Sequence, residues 1–203
     1  MTTVQQVYDA MQVMAPLELA ESWDNPGLLV DCGGAVRRVL VTLDITPEVV
    51  AEAAAKECQV IVAHHPVIFD PLKKLCPADL PYQLVQAGIS AVCMHTNLDA
   101  ARGGVNEVLA ELFGMQDPQP FAEGCGRVGQ IQPVTVPQLA RKAQQLLAAR
   151  CNLPGDGSPA VQVKFADNGR PVQRLAVISG AGGSLFQEAL AQGADCLLTG
   201  EAN

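Results

Sequence analysis

His64, His65 and His95 are the only histidines of the chain, and each stands where an apolar run stops. The first two close the run Cys58 to Ala63, and His95 follows Gly88 to Met94. The next carboxylate after His95 is Asp99. Imidazole and carboxylate together are the ligands of a divalent transition metal, which takes them at about 2.0 to 2.2 Å. Chemistry in α/β proteins gathers at the carboxyl ends of strands, so the pattern points to a metal site and with it a place for catalysis.

On a regular strand His64 and His65 would point to opposite faces and could not share an ion. Pro66 alters this, because it holds His65 in extended geometry and removes a ladder donor, so the chain leaves the sheet at the pair. The two rings can then serve one ion or two neighbouring ions, with Asp99 able to bridge through its two oxygens. His95 is either a further ligand or a group that orients one. The plain alternative is a set of solvated or capping polar residues at loop starts, which is less natural when every histidine of the chain occupies such a position.

Other motifs carry less. Ser179-Gly180-Ala181-Gly182-Gly183-Ser184 follows a strand and precedes a helix, but it lacks the dinucleotide fingerprint and any Walker lysine, so it reads as a glycine-rich turn. Asp24 and Asn25 beside Trp23 read as a loop anchor rather than a site wall. No GxSxG or comparable setting supports a serine or cysteine nucleophile.

These residues need elements to position them. Val4, Val7, Tyr8, Met11 and Met14 share a face at helical spacing, which predicts an opening helix ended near Pro16. Leu28 to Val30 and Val39 to Leu43 suit short strands. Thr46-Pro47-Glu48 is a helix start, predicting a helix from about Pro47 to Glu57. Val60 to Ala63 is the strand before the double histidine. A helix from Pro81 or Tyr82 to Ala87 stopped by Gly88, a strand over Ile89 to Met94, and a helix over Val105 to Phe113 closed by Gly114 follow. Strands alternating with helices favour a parallel, helix-covered α/β sheet.

Gln116 to Gly124, with Pro118 and Pro120, is the best candidate linker, dividing the chain into lobes 1–120 and 121–203. Beyond it, Leu139, Ala143, Leu146 and Leu147 line a helix from Gln138 to Ala149, and Asn152 to Pro159 reads as loop. Alternating Val161, Val163 and Phe165, a turn at Asp167-Asn168-Gly169 and a strand over Val172 to Ser179 predict a hairpin. Laying Val39 on Leu175 aligns VLVTLDITPEVVAEAAAKECQVIVAHH with LAVISGAGGSLFQEALAQGADCLLTGE without a gap. Any two strand-helix-strand units look somewhat alike; a true repeat would make two similar α/β lobes, with a cleft between them as the natural place for a site.

Composition narrows the function classes. The 203 residues are 49% hydrophobic, enough for one good core or two small ones. Thirteen basic residues against 21 acidic ones give a net charge of −8, and no basic run favours nucleic acid. No basic residue precedes Arg37 and no apolar stretch approaches the roughly 20 residues needed to span a bilayer, so a cytoplasmic protein without signal or membrane segment is expected. Seven cysteines without a CxxC pair read as free thiols in a reducing compartment.

Taken together, WDNPGLLV (Trp23 to Val30), VTLDITPEVV (Val41 to Val50), IVAHHPVIF (Ile61 to Phe69), HTNLDAARGGVNEVLAELFG (His95 to Gly114), GCGRVGQI (Gly124 to Ile131) and SGAGGSLFQEALAQGADCLLTGE (Ser179 to Glu201) resemble the Nif-three-like family, the GTP cyclohydrolase I type 2 homologues. The likeness spans the chain. It implies two similar lobes with helix-covered sheets, a pair of divalent metal ions in the cleft between them, and a ring-shaped homohexamer. Carried over by position, His64, His65 and Asp99 look like three of the family's metal ligands, and His95 matches a residue near the metals, suited to carrying a proton. Chains of the family run several dozen residues past a pair like Gly200-Glu201, and that tail supplies a further histidine and glutamate. The sequence in hand ends at Asn203, so the expectation is a set of three ligands and weaker metal binding.

Two functional readings follow. One is a dinuclear metal-dependent hydrolase acting on a nucleotide or related heterocycle, with zinc, iron, manganese, cobalt or nickel as the metal. The other is a non-catalytic metal-binding protein with a regulatory or scaffold role, the ring serving as its platform.

Overall fold

A computed structural model describes residues 1–149 and 161–202 of the chain. The predicted loop Asn152 to Pro159 lies outside the described residues. Two units emerge, Met1–Gly104 and Val105–Asn203.

The first unit runs β1 (Thr2–Thr3), α1 (Val4–Met14), β2 (Gly27–Val30), β3 (Ala35–Val36), β4 (Val39–Thr42), α2 (Pro47–Ala55), β5 (Val60–Ala63), α3 (Leu80–Ala87), β6 (Ser90–Cys93) and α4 (Thr96–Ala100). Local chemistry sets the helix ends. Thr3 and Gln6 form a reciprocal capping box on α1, Thr46 caps α2 with Pro47 in its first turn, and Gly88 ends α3 in the left-handed conformation at φ 66°.

The main sheet of this unit has the order β2-β6-β5-β4. Strands β4, β5 and β6 are parallel, while β2 joins β6 antiparallel. The sheet is therefore mixed, where alternation alone predicted a parallel one: β2 comes before any crossover helix of the sheet and enters from the opposite direction. Alternation of side chains divides the core. Val60, Val62 and Val92 face Val4 of α1 with Met94 and Ala101, whereas Ile61, Ala63 and Ala91 face Val50 and Ala53 of α2 and Leu84 of α3. Both faces of β5 and β6 are covered, so these strands are buried throughout rather than alternating between buried and exposed.

The second unit contains α5 (Val105–Phe113), β7 (Gln116–Phe121), β8 (Gly126–Val134), α6 (Val136–Ala148), β9 (Val172–Ile178), α7 (Phe186–Ala191) and β10 (Cys196–Thr199). Its sheet, in the order β10-β9-β8-β7, is also mixed: only β9 and β10 are parallel. Phe113 of α5 and Leu139 and Ala143 of α6 pack with Leu175 and Val177 of β9.

Two expectations fail here. The proline-bearing segment read as a linker is the strand β7; it lies at the sheet edge with a register shift between Gln116 and Gln119, where prolines are tolerated because no neighbour needs their missing N–H. The predicted hairpin has no first arm, since Val161 to Phe165 carry no strand. Strand β9 instead has β8 on one edge and β10 on the other, which leaves neither edge for it.

The aligned stretches correspond within the sheets. Val39 pairs with Val60 in the β4-β5 ladder, and Leu175, the residue aligned with Val39, pairs with Cys196, the residue aligned with Val60. Beyond this parallel strand-helix-strand unit the sheets diverge. The first extends from β5 through β6 and β2, the second from β9 through β8 and β7.

Candidate metal centre

Register builds the site. Thr42, Ala63 and Cys93, the last residues of three parallel neighbours, lie in one row. Asp44, His65 and His95 each stand two positions past that row, and His64 and Met94 one past it. The ladder runs on a little beyond the strands: His65 N donates to the Leu43 carbonyl at 3.0 Å and Met94 N to that of Ala63 at 3.0 Å. Antiparallel β2 begins at Gly27 opposite Cys93, so the residues before it, Trp23 to Pro26, arrive at the same end of the sheet.

All three imidazoles converge. Ring centroids are 5.1 Å apart for His64 and His65, 5.2 Å for His64 and His95, and 5.6 Å for His65 and His95. Each ring offers one ligand atom, and these atoms lie within 4.8 Å of one another, a grouping able to hold a metal ion.

Hydrogen bonding decides which nitrogen each ring offers. Nδ1 of His64 lies 2.9 Å from the Met94 carbonyl, which can only accept, so Nδ1 carries the proton and Nε2 the lone pair. Nδ1 of His65 meets Oδ1 of Asp44 at 2.6 Å, and Nδ1 of His95 meets Oδ1 of Asp24 at 2.8 Å. Backing of the far nitrogen by a carboxylate or carbonyl is how metal-binding histidines are oriented and made more basic. Here all three have it.

Asp24 is the better held of the two carboxylates. Its side chain is buried and accepts from the backbone N–H and hydroxyl of Thr96, from His95, and from the Asn25 N–H. Burial is the largest single influence and pushes its pKa up, but the bonds from Thr96, His95 and Asn25 outweigh it together and hold the carboxyl below its ordinary range. Asp24 is thus ionised beside His95. For His64, burial is the main cause of a lowered pKa; the nearby Asp99 charge and the Met94 carbonyl oppose it, and His95 and His65 add to it. The ring is neutral at neutral pH, the form that ligates a cation.

Asp99 enters from α4. His95 precedes that helix, and its carbonyl accepts from the N–H groups of Leu98 and Asp99 at 2.9 and 3.1 Å, so one turn of helix returns the carboxylate to the histidines. Oδ1 of Asp99 stands 3.7 Å from Nε2 of His64. Cys93, although adjacent, is outside the donor set. Its thiol bonds the His64 carbonyl at 2.9 Å, and burial, with a smaller contribution from the Asp24 charge, pushes its pKa up to about 12.

The structure thus brings His64, His65, His95 and Asp99 together from two segments. Sequence reasoning missed Asp44 altogether and read Asp24 as an anchor only. Both backing bonds join residues more than twenty positions apart, and no spacing rule links them. Asn25 does anchor: its Nδ2 donates to the Ile68 carbonyl at 2.7 Å.

The chemistry of this donor set fits a divalent cation: imidazoles with one ring nitrogen left for the metal, and one carboxylate beside them. Among the described residues, no helix is long and apolar enough to cross a membrane.

The family model for Duf34/NIF3 (NGG1p interacting factor 3) matches residues 2–203. A GTP cyclohydrolase 1 type 2 homolog of Streptococcus pneumoniae is 32% identical over 206 residues, covering 97% of this chain and 76% of that protein. NGG1-interacting factor 3 of Saccharomyces cerevisiae is 32% identical over 211 residues, covering 89% and 71%. Among solved structures, that of Staphylococcus aureus hypothetical protein SA1388 superposes with a TM-score of 0.81 at 26% identity, covering all of this chain and 80% of that one.

Proposed function

The chain belongs to the Duf34/NIF3 family, and from that premise we propose that it is a divalent-metal-binding protein working as a metal-dependent hydrolase on a small nucleotide-like heterocycle. One observation carries the reading: every histidine of the chain stands in a single cluster with its Nδ1 already committed to an acceptor. Solvated loop histidines would have no reason to share that arrangement. The substrate class comes from the name of the pneumococcal relative.

In this proposal His64, His65 and Asp99 would hold the cations, two for each chain. A divalent cation there supplies Lewis acidity to a water molecule or a substrate oxygen. His65 and His64 are held to one ring orientation by Asp44 and the Met94 carbonyl. His95 has Nε2 as its one uncommitted nitrogen, and with Asp24 stabilising the imidazolium it takes a proton there and gives it back.

Elemental analysis of protein purified without chelator, followed by assay of GTP turnover, tests this. The expected result is bound divalent metal and turnover that disappears on chelation and in His65→Ala. Protein without metal that also fails to take up zinc, manganese or iron would overturn the reading. Stoichiometric metal without turnover across a panel of phosphorylated heterocycles would reduce it to a metal-binding protein.

A further inference from the structure

Trp23 is the single tryptophan of a chain in which only 4% of residues are aromatic, and it is 58% exposed. Phe69, 49% exposed, lies beside it with ring centroids 6.0 Å apart and planes tilted by 44°. Scattered exposed apolar residues are ordinary. This pair differs in its setting, because Trp23 also meets His95 nearly edge-on, at 6.2 Å and 79°.

Both rings are carried by pinned backbone. Glu21 N donates to the Thr96 hydroxyl at 3.0 Å and Asp24 N to the Glu21 carbonyl at 3.0 Å, while the Asp24 carboxylate accepts from His95 and Thr96. Asn25 ties this loop to the Ile68 carbonyl, one residue before Phe69. Three consecutive residues therefore act together. Trp23 presents a ring, Asp24 orients His95, and Asn25 fixes the loop that presents Phe69. A large apolar face held in water by such a network is preorganised for a partner with a flat apolar face of its own.

We propose that Trp23 and Phe69 form a subsite that stacks a planar aromatic heterocycle against the histidine cluster. The inference rests on the proposed function for the reaction that follows binding, but not for binding itself. The two ring faces offer no charge to a phosphate, so what this subsite recognises is the flat ring of the ligand. With the two rings tilted by 44°, a flat ligand cannot lie parallel to both, so in this proposal it stacks on Trp23 and meets Phe69 as a flank. Stacking a base on an aromatic side chain changes affinity by roughly tenfold or more when the side chain is truncated.

Because Trp23 is the only tryptophan, its emission reports this position alone. Titrating the purified protein with guanosine monophosphate is expected to quench it saturably, while ribose 5-phosphate does not. By equilibrium dialysis with guanosine monophosphate, Trp23→Ala is expected to lose roughly tenfold or more in affinity and Phe69→Ala several-fold, with Trp23→Phe restoring most of the loss. Metal content should be unchanged in all three variants. Absence of saturable quenching, equal affinity for ribose 5-phosphate, or unaltered affinity in both alanine variants would overturn the subsite. Loss of metal from the alanine variants would also overturn it, by making the pair a prop for the histidines. Failure of the metal reading would look different: no metal bound, with quenching by guanosine monophosphate intact.

Discussion

His95 and Asp24, 71 positions apart in the chain, share a hydrogen bond of 2.8 Å in which a buried carboxylate accepts from Nδ1 of the ring. His65 and Asp44 repeat the arrangement at 2.6 Å, but at the surface, where the two side chains are 46% and 55% exposed. The same chemistry in two environments gives separable consequences.

Asp24→Ala leaves the Thr96 N–H and the His95 ring without their buried acceptor. We expect a loss of about 2 to 4 kcal/mol in stability and a loss of turnover with metal still bound, because Asp24 backs the proton carrier His95 and not a ligand. Asp44→Ala, which removes the backing of the ligand His65, should weaken metal binding by about 10- to 100-fold while changing stability by less than about 1 kcal/mol, because an exposed pair is screened by water. Urea denaturation of metal-free protein and metal titration of each variant separate the two effects.

Histidine variants should sort by role. His64→Ala and His65→Ala are expected to lose bound metal, whereas His95→Ala should keep it and lose turnover. Elemental analysis alongside GTP turnover checks this, and loss of metal from His95→Ala would make His95 a ligand instead of a proton carrier.

Gly104 closes the turn after α4, and a Cβ there would stand 2.0 Å from the Leu98 carbonyl oxygen and 2.8 Å from that of Ala101. Both obstacles are backbone, so α4 itself must move. Gly104→Ala should cost about 1 to 3 kcal/mol or more and, because Asp99 rides on that helix, weaken metal binding as well. A thermal melt and a metal titration would show both losses together; a stable variant with wild-type affinity would contradict the argument.

Two thiols should differ in alkylation. Cys93, buried and pushed up to about 12, is expected to stay unlabelled at pH 8 until the protein unfolds. Cys76 is exposed, yet its thiol hydrogen-bonds Oδ2 of Asp79 at 3.0 Å, and that bond is the main cause of its raised pKa. A raised thiol pKa means less thiolate at a given pH and slower reaction. Asp79→Asn should therefore speed labelling of Cys76 and shift its pH-rate profile downward, as read by peptide mass spectrometry.

Elements of both units were legible as local pattern. The helix over Val105 to Phe113 and the strand Val60 to Ala63 stand where periodicity put them, and the stops at Gly88 and Gly114 fall as expected, since both glycines adopt positive φ. Segments whose structure depends on a neighbour were misread. Pro118 and Pro120 say linker locally, and only the vacant outer edge of β7 makes a strand of them. Val161 to Phe165 alternates like a strand, but β9 has no edge left to pair with it.

By itself the sequence determined the kind of chemistry. It put every imidazole at a strand end with a carboxylate close behind, because residue type and the apolar runs before it are local properties. Tertiary structure decided the rest. Only parallel register, with Thr42, Ala63 and Cys93 in one row, brings the residues that follow into a single cluster. Only long-range hydrogen bonds choose Asp24, Asp44 and the Met94 carbonyl as the groups that turn each ring. A pairing between distant segments has no period and no spacing, so it becomes visible only once the sheet has brought them together.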